Sequence, residues 1–226
     1  MAEATAGGAP FVDRVRAALA MSPGLRLPDH ECDRRAAVTL LLAPVEESDA
    51  SGVVPERQAS PSRTAALFVH RARVEGDPWS GHVALPGGGH DPDDRDILDT
   101  ALRETREETG IVLRPRDVLG RLHDLHPRSA HLPSIGITPF VAWLPVRPGV
   151  NLNHELVGHL WVPVSELAAP ARRSSLIRTR PRPRRFPTIE FNGAVIWGLT
   201  FAIVEEFLAR LGLRPDGPPP GGVPHK

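Results

Sequence analysis

Carboxylates crowd one short run of this chain: from Arg103 to Gly110 it reads RETREETG, with Glu104, Glu107 and Glu108 inside it. On a helix, residues three or four apart are neighbours, so this spacing gathers three acids on a small patch. Like charges that close repel by a few tenths of a kcal/mol per pair unless a cation lies among them. Oxygen-only ligands of this kind suit Mg²⁺ or Mn²⁺. Just upstream stands Leu85-Pro86-Gly87-Gly88-Gly89. Consecutive glycines permit close backbone approach and φ values that a Cβ resists, the property a phosphate-binding loop needs. The acids from Asp91 to Asp96 do not make a calcium loop of the EF-hand kind, because Pro92 stands second and the sixth place lacks glycine.

The element that must carry the acids is predicted as a helix from near Asp94 to Thr109. Asp91 and Asp94 are its expected caps, and Gly110 its left-handed stop. Leu98, Ala101, Leu102, Thr105 and Thr109 recur at helical spacing and define the packed face. Glu104, Glu107 and Glu108 are accordingly expected on the opposite side. A charge run ordinarily means a solvated surface helix; the adjoining glycines set this one apart.

These residues resemble the Nudix box. Gly87-Gly88 after Leu85-Pro86 resembles its first half, and Arg103-Glu104-Thr105-Arg106-Glu107-Glu108-Thr109-Gly110-Ile111 its second. The resemblance implies an α/β fold, a Nudix-like α/β/α sandwich with a mixed sheet, and metal-dependent hydrolysis of a diphosphate linkage in a nucleoside diphosphate derivative. It further implies Glu104, Glu107 and Glu108 as metal ligands, Arg103 as the partner that holds a helix glutamate, and Gly87, Gly88, Gly89 and Arg71 as substrate-binding residues. Two positions depart from the box. Thr105 stands where an aliphatic residue is usual, and the first glutamate is missing: its place falls at Asp94 counting from Gly88, or at Arg95 counting back from Arg103. That longer loop, the run Trp79-Ser80-Gly81-His82-Val83-Ala84-Leu85-Pro86, Arg71, and Ile196-Trp197-Gly198-Leu199-Thr200 resemble the branch of coenzyme A diphosphatases. Glu75 and Asp77 stand where that branch tends to be basic. The alternative is a non-catalytic Nudix-fold module that senses a nucleotide.

Along the rest of the chain, a short amphipathic helix is predicted over Phe11–Met21, buried strands over Arg34–Pro44 and Thr64–Arg71, and a short strand over His82–Leu85. A long polar loop is expected up to Arg63. Two more strands follow at Val118–His126 and Ile135–Leu144. In Asn151–Leu167 a loop acid, Glu155, precedes a strand and a helical turn; as an extra ligand or general base it competes with a surface acid. His123, Asp124, His126 and His131 match no zinc spacing and are expected in loops or core. Ala171–Arg185 holds seven arginines and no acid; it is expected as a solvated loop, with a phosphate contact as the sharper reading. An apolar stretch, Phe186–Ile196, leads to a last helix over Trp197–Leu213. One domain is expected over residues 10–213, between disordered tails at 1–9 and 214–226.

Composition supports an ordinary globular chain: 226 residues, 41% hydrophobic, 24% charged, net charge zero. Zero charge argues against nucleic acid, and no stretch approaches the ~20 apolar residues of a membrane span. Cys32 is the only cysteine, so no intrachain disulfide can form and a cytoplasmic setting is expected. The expected partners are a small nucleotide-derived substrate and a second copy of the chain in a homodimer.

Overall fold

The computed structural model describes residues 10–45, 59–76, 80–127, 134–178 and 183–215. The expected tail at 1–9, most of the one at 214–226, most of the polar loop before Arg63, and His131 lie outside the described residues.

The backbone of the fold is a mixed sheet whose two long central strands part company. Strand β1 (Arg34–Pro44) and β2 (Thr64–Arg71) pair antiparallel only from Leu42↔Ala66 to Pro44↔Thr64. Beyond that they diverge. β3 (Val83–Ala84) continues beside β2, whereas β4 (Gly87–Gly89) crosses to pair with β1 through Ala37↔Gly88. The segment expected as a glycine loop is therefore a short strand bridging a fork in the sheet. β5 (Val118–Arg121) and β6 (Ile135–Trp143) extend the other edge of β1, with β6 parallel to it, and β7 (Leu156–Pro163) pairs along β2.

Side-chain alternation divides β1 between two layers. Leu40 and Leu42 face the core beneath α1 (Phe11–Met21) and α4 (Gly198–Arg210), with Phe68, Phe207 and Leu208. Leu41 and Ala43 face the opposite layer, where Leu67, Ile111 and Leu113 collect. There α2 (Ile97–Thr109) lies, with Ala101 against Ala37 and Phe140. Helices thus cover both faces of a mixed sheet, as expected for an α/β/α sandwich. The short α3 (Val164–Ala168) follows β7.

The arginine-rich segment departs from expectation. β8 (Arg173–Arg178), β9 (Arg184–Phe191) and β10 (Ala194–Trp197) form a second, antiparallel sheet. Asn192 and Gly193, at φ 48° and 80°, make the tight turn between β9 and β10. Ile189 pairs with Ile196, and both are fully buried. Of the expected loop, Arg173–Arg178 and Arg184–Arg185 are strand, because β8 pairs along β9, whose buried Ile189 anchors the sheet to the core. β5 also ends earlier than expected; beyond it the Leu122 N–H bonds the Pro139 carbonyl and Leu125 bridges to Ile137.

Candidate active site

The start of α2 is set by Asp96, not by Asp91 or Asp94. Asp96 accepts the backbone N–H of Asp99 at 2.8 Å, the contact expected of an N-cap. Asp94 is thereby released for another task. Its side chain is 4% exposed and takes a two-pronged contact from Arg103, Nε to Oδ1 at 2.8 Å and Nη2 to Oδ2 at 3.0 Å. It also accepts from the Asp91 N–H and the Thr100 hydroxyl. These donors, Arg103 first, hold its carboxyl well below the usual carboxylate range. Of the two positions that counting offers for the missing glutamate, the folded chain places only Asp94 on Arg103.

Arg103 spends all five of its N–H donors. Besides Asp94, it reaches the Gly89 carbonyl at 3.0 Å, Glu104 Oε1 at 2.9 Å and Glu107 Oε2 at 3.0 Å. The expected ion pair to a helix glutamate is present twice over. A planar, multiply bonded guanidinium fixes direction as well as charge, so Arg103 ties the helix to the glycine strand and orients two of the acids.

Glu108 is not on the exposed side. Helix geometry turns it only about 60° from Thr105, three residues back. Because Thr105 is fully buried, Glu108 points inward and is 3% exposed. Its carboxylate accepts the Gly87 N–H at 2.9 Å, and Arg71 Nη1 stands 3.8 Å away. Burial raises its pKa from 4.5 to about 7, against the opposing pull of the Gly87 amide and Arg71. Burial also raises that of Glu104, against Arg103. Each feels the like charge of Glu155, at the start of β7, where the Ala72 N–H bonds the Glu155 carbonyl. Glu107 is half exposed and is shared between Arg103 and Arg106.

Among the described residues, no three histidine, cysteine or acidic side chains are already gathered as a metal-binding group. The donor chemistry nonetheless fits a hard divalent cation. Glu104, Glu107 and Glu108 are oxygen donors on one helix; burial, and to a lesser degree the like charge of Glu155, disfavours the charged state of Glu104 and Glu108, and a cation beside them relieves both.

The glycines divide by role. A Cβ on Gly88 would lie 2.5 Å from the Glu104 carboxylate, and one on Gly87, at φ 153°, would lie 2.2 Å from the Ala37 carbonyl; at Gly89 nothing stands within 4 Å. Gly88 leaves room for a site carboxylate and Gly87 for the neighbouring strand. The Gly87 amide is spent on Glu108. Thr105, unusual for the box, is satisfied: its hydroxyl donates to the Ala101 carbonyl at 2.7 Å and lies 2.9 Å from the Thr39 hydroxyl.

Other candidates fall away from this centre. Asp124 is a buried structural hub, accepting from the Leu27 N–H, Arg35, Arg121 and Thr138. His123 adjoins Glu206 at 3.5 Å. Arg172 pairs with Glu166 at 2.5 Å, and Arg173 pairs with Glu205 where both are largely buried. Those two arginines brace the fold. In the sequence Asp94 is legible as a cap or as the positional equivalent of the missing glutamate, not as the partner of Arg103. Its spacing of nine from Arg103 is not helical, so no periodic signal marks the pair.

The NUDIX domain profile matches residues 49–181, more than half of the chain. An uncharacterized protein of Schizosaccharomyces pombe is 34% identical over 143 residues, which cover 61% of this chain and 44% of that protein. An uncharacterized Nudix hydrolase, NudL, of Yersinia pestis is 32% identical over 136 residues, 59% of this chain and 66% of its own length. The matched region thus spans under two thirds of each. In architecture the chain is similar to the crystal structure of a MutT/nudix family protein from Enterococcus faecalis, with a TM-score of 0.52 at 18% identity, covering 91% of this chain and 73% of that one. With the box residues gathered around Arg103 on a mixed sheet between helices, and the domain profile across its centre, this chain belongs to the Nudix family.

Proposed function

We propose that the chain hydrolyses the diphosphate linkage of a nucleoside diphosphate derivative, of the class of coenzyme A or a coenzyme A-like compound, with Mg²⁺ or Mn²⁺ held by Glu104, Glu107 and Glu108. The observation that carries this reading is the pair of confined carboxylates, Glu104 and Glu108, with Arg71 3.8 Å from Glu108 and the charge of Glu155 felt by both. Burial raises the pKa of both carboxyls against the opposing pull of Arg103 on Glu104 and of the Gly87 amide and Arg71 on Glu108. Such an ion, when bound, supplies Lewis acidity to the phosphoryl oxygens.

The chain's own groups do the rest. Arg103 and Asp94 hold Glu104 and Glu107 in place, so orientation is set before substrate arrives. Glu104 or Glu155 takes a proton from the attacking water. Arg71, at the end of β2, offers its guanidinium to a phosphate. The open position at Gly89 lets a phosphate approach the backbone.

The coenzyme A branch rests on the motif resemblance, and two features weigh on it. Glu75 is exposed, and Arg172 and Arg173 are engaged in the fold, so fewer cations remain for a 3′-phosphate. Dephospho-coenzyme A is therefore expected to serve at least as well as coenzyme A. The expected homodimer is not supported by the fold or by the relatives. Among the described residues no helix is long and apolar enough to cross a membrane.

The test is a substrate panel of coenzyme A, dephospho-coenzyme A, NADH, ADP-ribose, dinucleoside polyphosphates and nucleoside triphosphates with Mg²⁺ or Mn²⁺. Cleavage of a diphosphate to two phosphomonoesters, lost on chelation, is the expected result. Tight binding of a nucleotide without turnover of any panel member would favour the sensing module instead.

A further inference from the structure

Beside the carboxylate centre lies an aromatic corner to which the box motif assigns nothing. His82 and Trp197 have ring centroids 4.6 Å apart at 64°, and Phe186 and Trp197 are 5.6 Å apart at 68°. All three residues are partly exposed. Three elements meet there: the residue preceding β3, the end of β10 and the middle of β9.

Register places this corner on the site. His70 pairs with Val83, so Arg71 stands opposite His82, and the Arg71 N–H donates to the His82 carbonyl at 3.0 Å. Opposite residues of an antiparallel pair leave the sheet on the same face, about 5 Å apart. Arg71 uses that face to reach Glu108. The His82 ring is therefore the next side chain beyond Arg71, on the side of the metal ligands. On the second sheet, Trp197 pairs with Thr188, two residues from Phe186, so Trp197 and Phe186 share a face; Ile189 and Ile196 turn the other way into the core. The Thr200 hydroxyl donates to the Val83 carbonyl at 3.2 Å, which ties the start of α4 to β3 and fixes the two sheets against each other at this point.

We propose that His82, Trp197 and Phe186 form the subsite for the nucleobase of the substrate. The chemistry is complementary along one line. Carboxylates for a cation come first, then the Arg71 guanidinium for phosphate, then partly exposed rings for a flat heteroaromatic group. Edge-to-face packing suits this task, because each such pair covers one face of one ring, whereas a stacked pair covers a face of both. Base–aromatic stacking needs no particular hydrogen-bond pattern, so this subsite favours a base as a class over its absence.

The proposal rests on the reading of the chain as acting on nucleoside diphosphate derivatives, but its test needs no turnover. AMP and ribose 5-phosphate are titrated against the full chain by calorimetry in Mg²⁺. AMP is expected to bind at least ten-fold more tightly. His82→Ala should remove most of that preference while leaving ribose 5-phosphate binding within two-fold, because the backbone bond to Arg71 survives. Trp197→Ala should act likewise and Trp197→Phe should restore part of the preference; melting curves confirm that each variant is folded. Equal affinity of the wild type for AMP and ribose 5-phosphate overturns the subsite. So does an undiminished AMP preference in folded His82→Ala and Trp197→Ala. A wild type that prefers AMP but cleaves no diphosphate would leave the subsite standing and fail the hydrolase reading alone.

Discussion

Asp94→Asn is the substitution that bears most directly on how the site is held. The change is nearly isosteric, yet Asp94 is 4% exposed and takes two N–H donors of Arg103, the Asp91 amide and the Thr100 hydroxyl. An amide offers one acceptor oxygen where the carboxylate offers two, so an NH₂ group must face at least one of these donors. Breaking a buried ion pair by removing one partner costs roughly 3–5 kcal/mol. Arg103 stays 25% exposed with two other carboxylates within reach, which argues for the low end, about 3 kcal/mol. For a chain of this size each kcal/mol moves the melting temperature by roughly 2–4 °C, so a fall of about 6–12 °C is expected at pH 7. The sign with pH follows from the lowered pKa. Asp94 stabilises the fold fully above its unfolded value near 3.8 and loses that contribution as pH falls through its depressed folded value. The gap between wild type and variant should accordingly narrow in acid. Activity on the best panel substrate should fall on the order of 10²-fold, the effect of a misplaced positioning group, and Asp94→Glu should recover part of both losses. A variant that melts within 1 °C of wild type at pH 7 would refute the assignment of Asp94 as the anchor of Arg103.

Glu108→Gln should stabilise the metal-free protein at pH 8 while abolishing turnover. Its pKa rises from 4.5 to about 7, so at about 1.4 kcal/mol per pH unit ionising it in the fold costs on the order of 3 kcal/mol. That cost is absent below pH 4.5 and grows as pH rises to 7. Melting curves in chelator across this range check it, and a pH-independent difference contradicts it. Gly88→Ala should lose most activity and cost roughly 1–3 kcal/mol, since its Cβ would lie 2.5 Å from the Glu104 carboxylate that Arg103 holds; Gly89→Ala, facing open space, should leave the fold unchanged, as parallel kinetics and melting would verify. Arg173→Ala should cost roughly 1–3 kcal/mol, because Glu205 loses its buried partner and keeps the half-exposed Arg214 at 3.1 Å, whereas Arg184→Ala and Arg185→Ala, both exposed, should leave the melting temperature within about 2 °C. A raised KM in the exposed pair alone would return a substrate role to that part of the segment.

The elements legible along the chain follow from local rules. Apolar periodicity placed α1 at Phe11–Met21, β1 at Arg34–Pro44 and β2 at Thr64–Arg71, because each element buries a continuous face whose period is visible in the chain. Gly110 ended α2 as expected, with φ 71°. The box spacing marked Glu104, Glu107, Glu108 and Arg103 as one group. The tertiary structure decided matters that depend on what lies across a gap in sequence. Helical spacing alone left Glu108 on the polar side, and only the crossing of β4 under α2 presents a backbone amide that lets a carboxylate face inward. The choice between Asp94 and Arg95 could not be counted; it was settled by which side chain reaches Arg103 once Asp96 had taken the cap. Composition made Ala171–Arg185 a solvated loop, whereas pairing of Arg173–Arg178 with β9 made its first part a strand, and Glu166 on α3 and the largely buried Glu205 on α4 claimed Arg172 and Arg173. His82, Phe186 and Trp197 are far apart in the chain, and no period links them. They meet because β10 is held against β3, a contact that exists only after both sheets have folded.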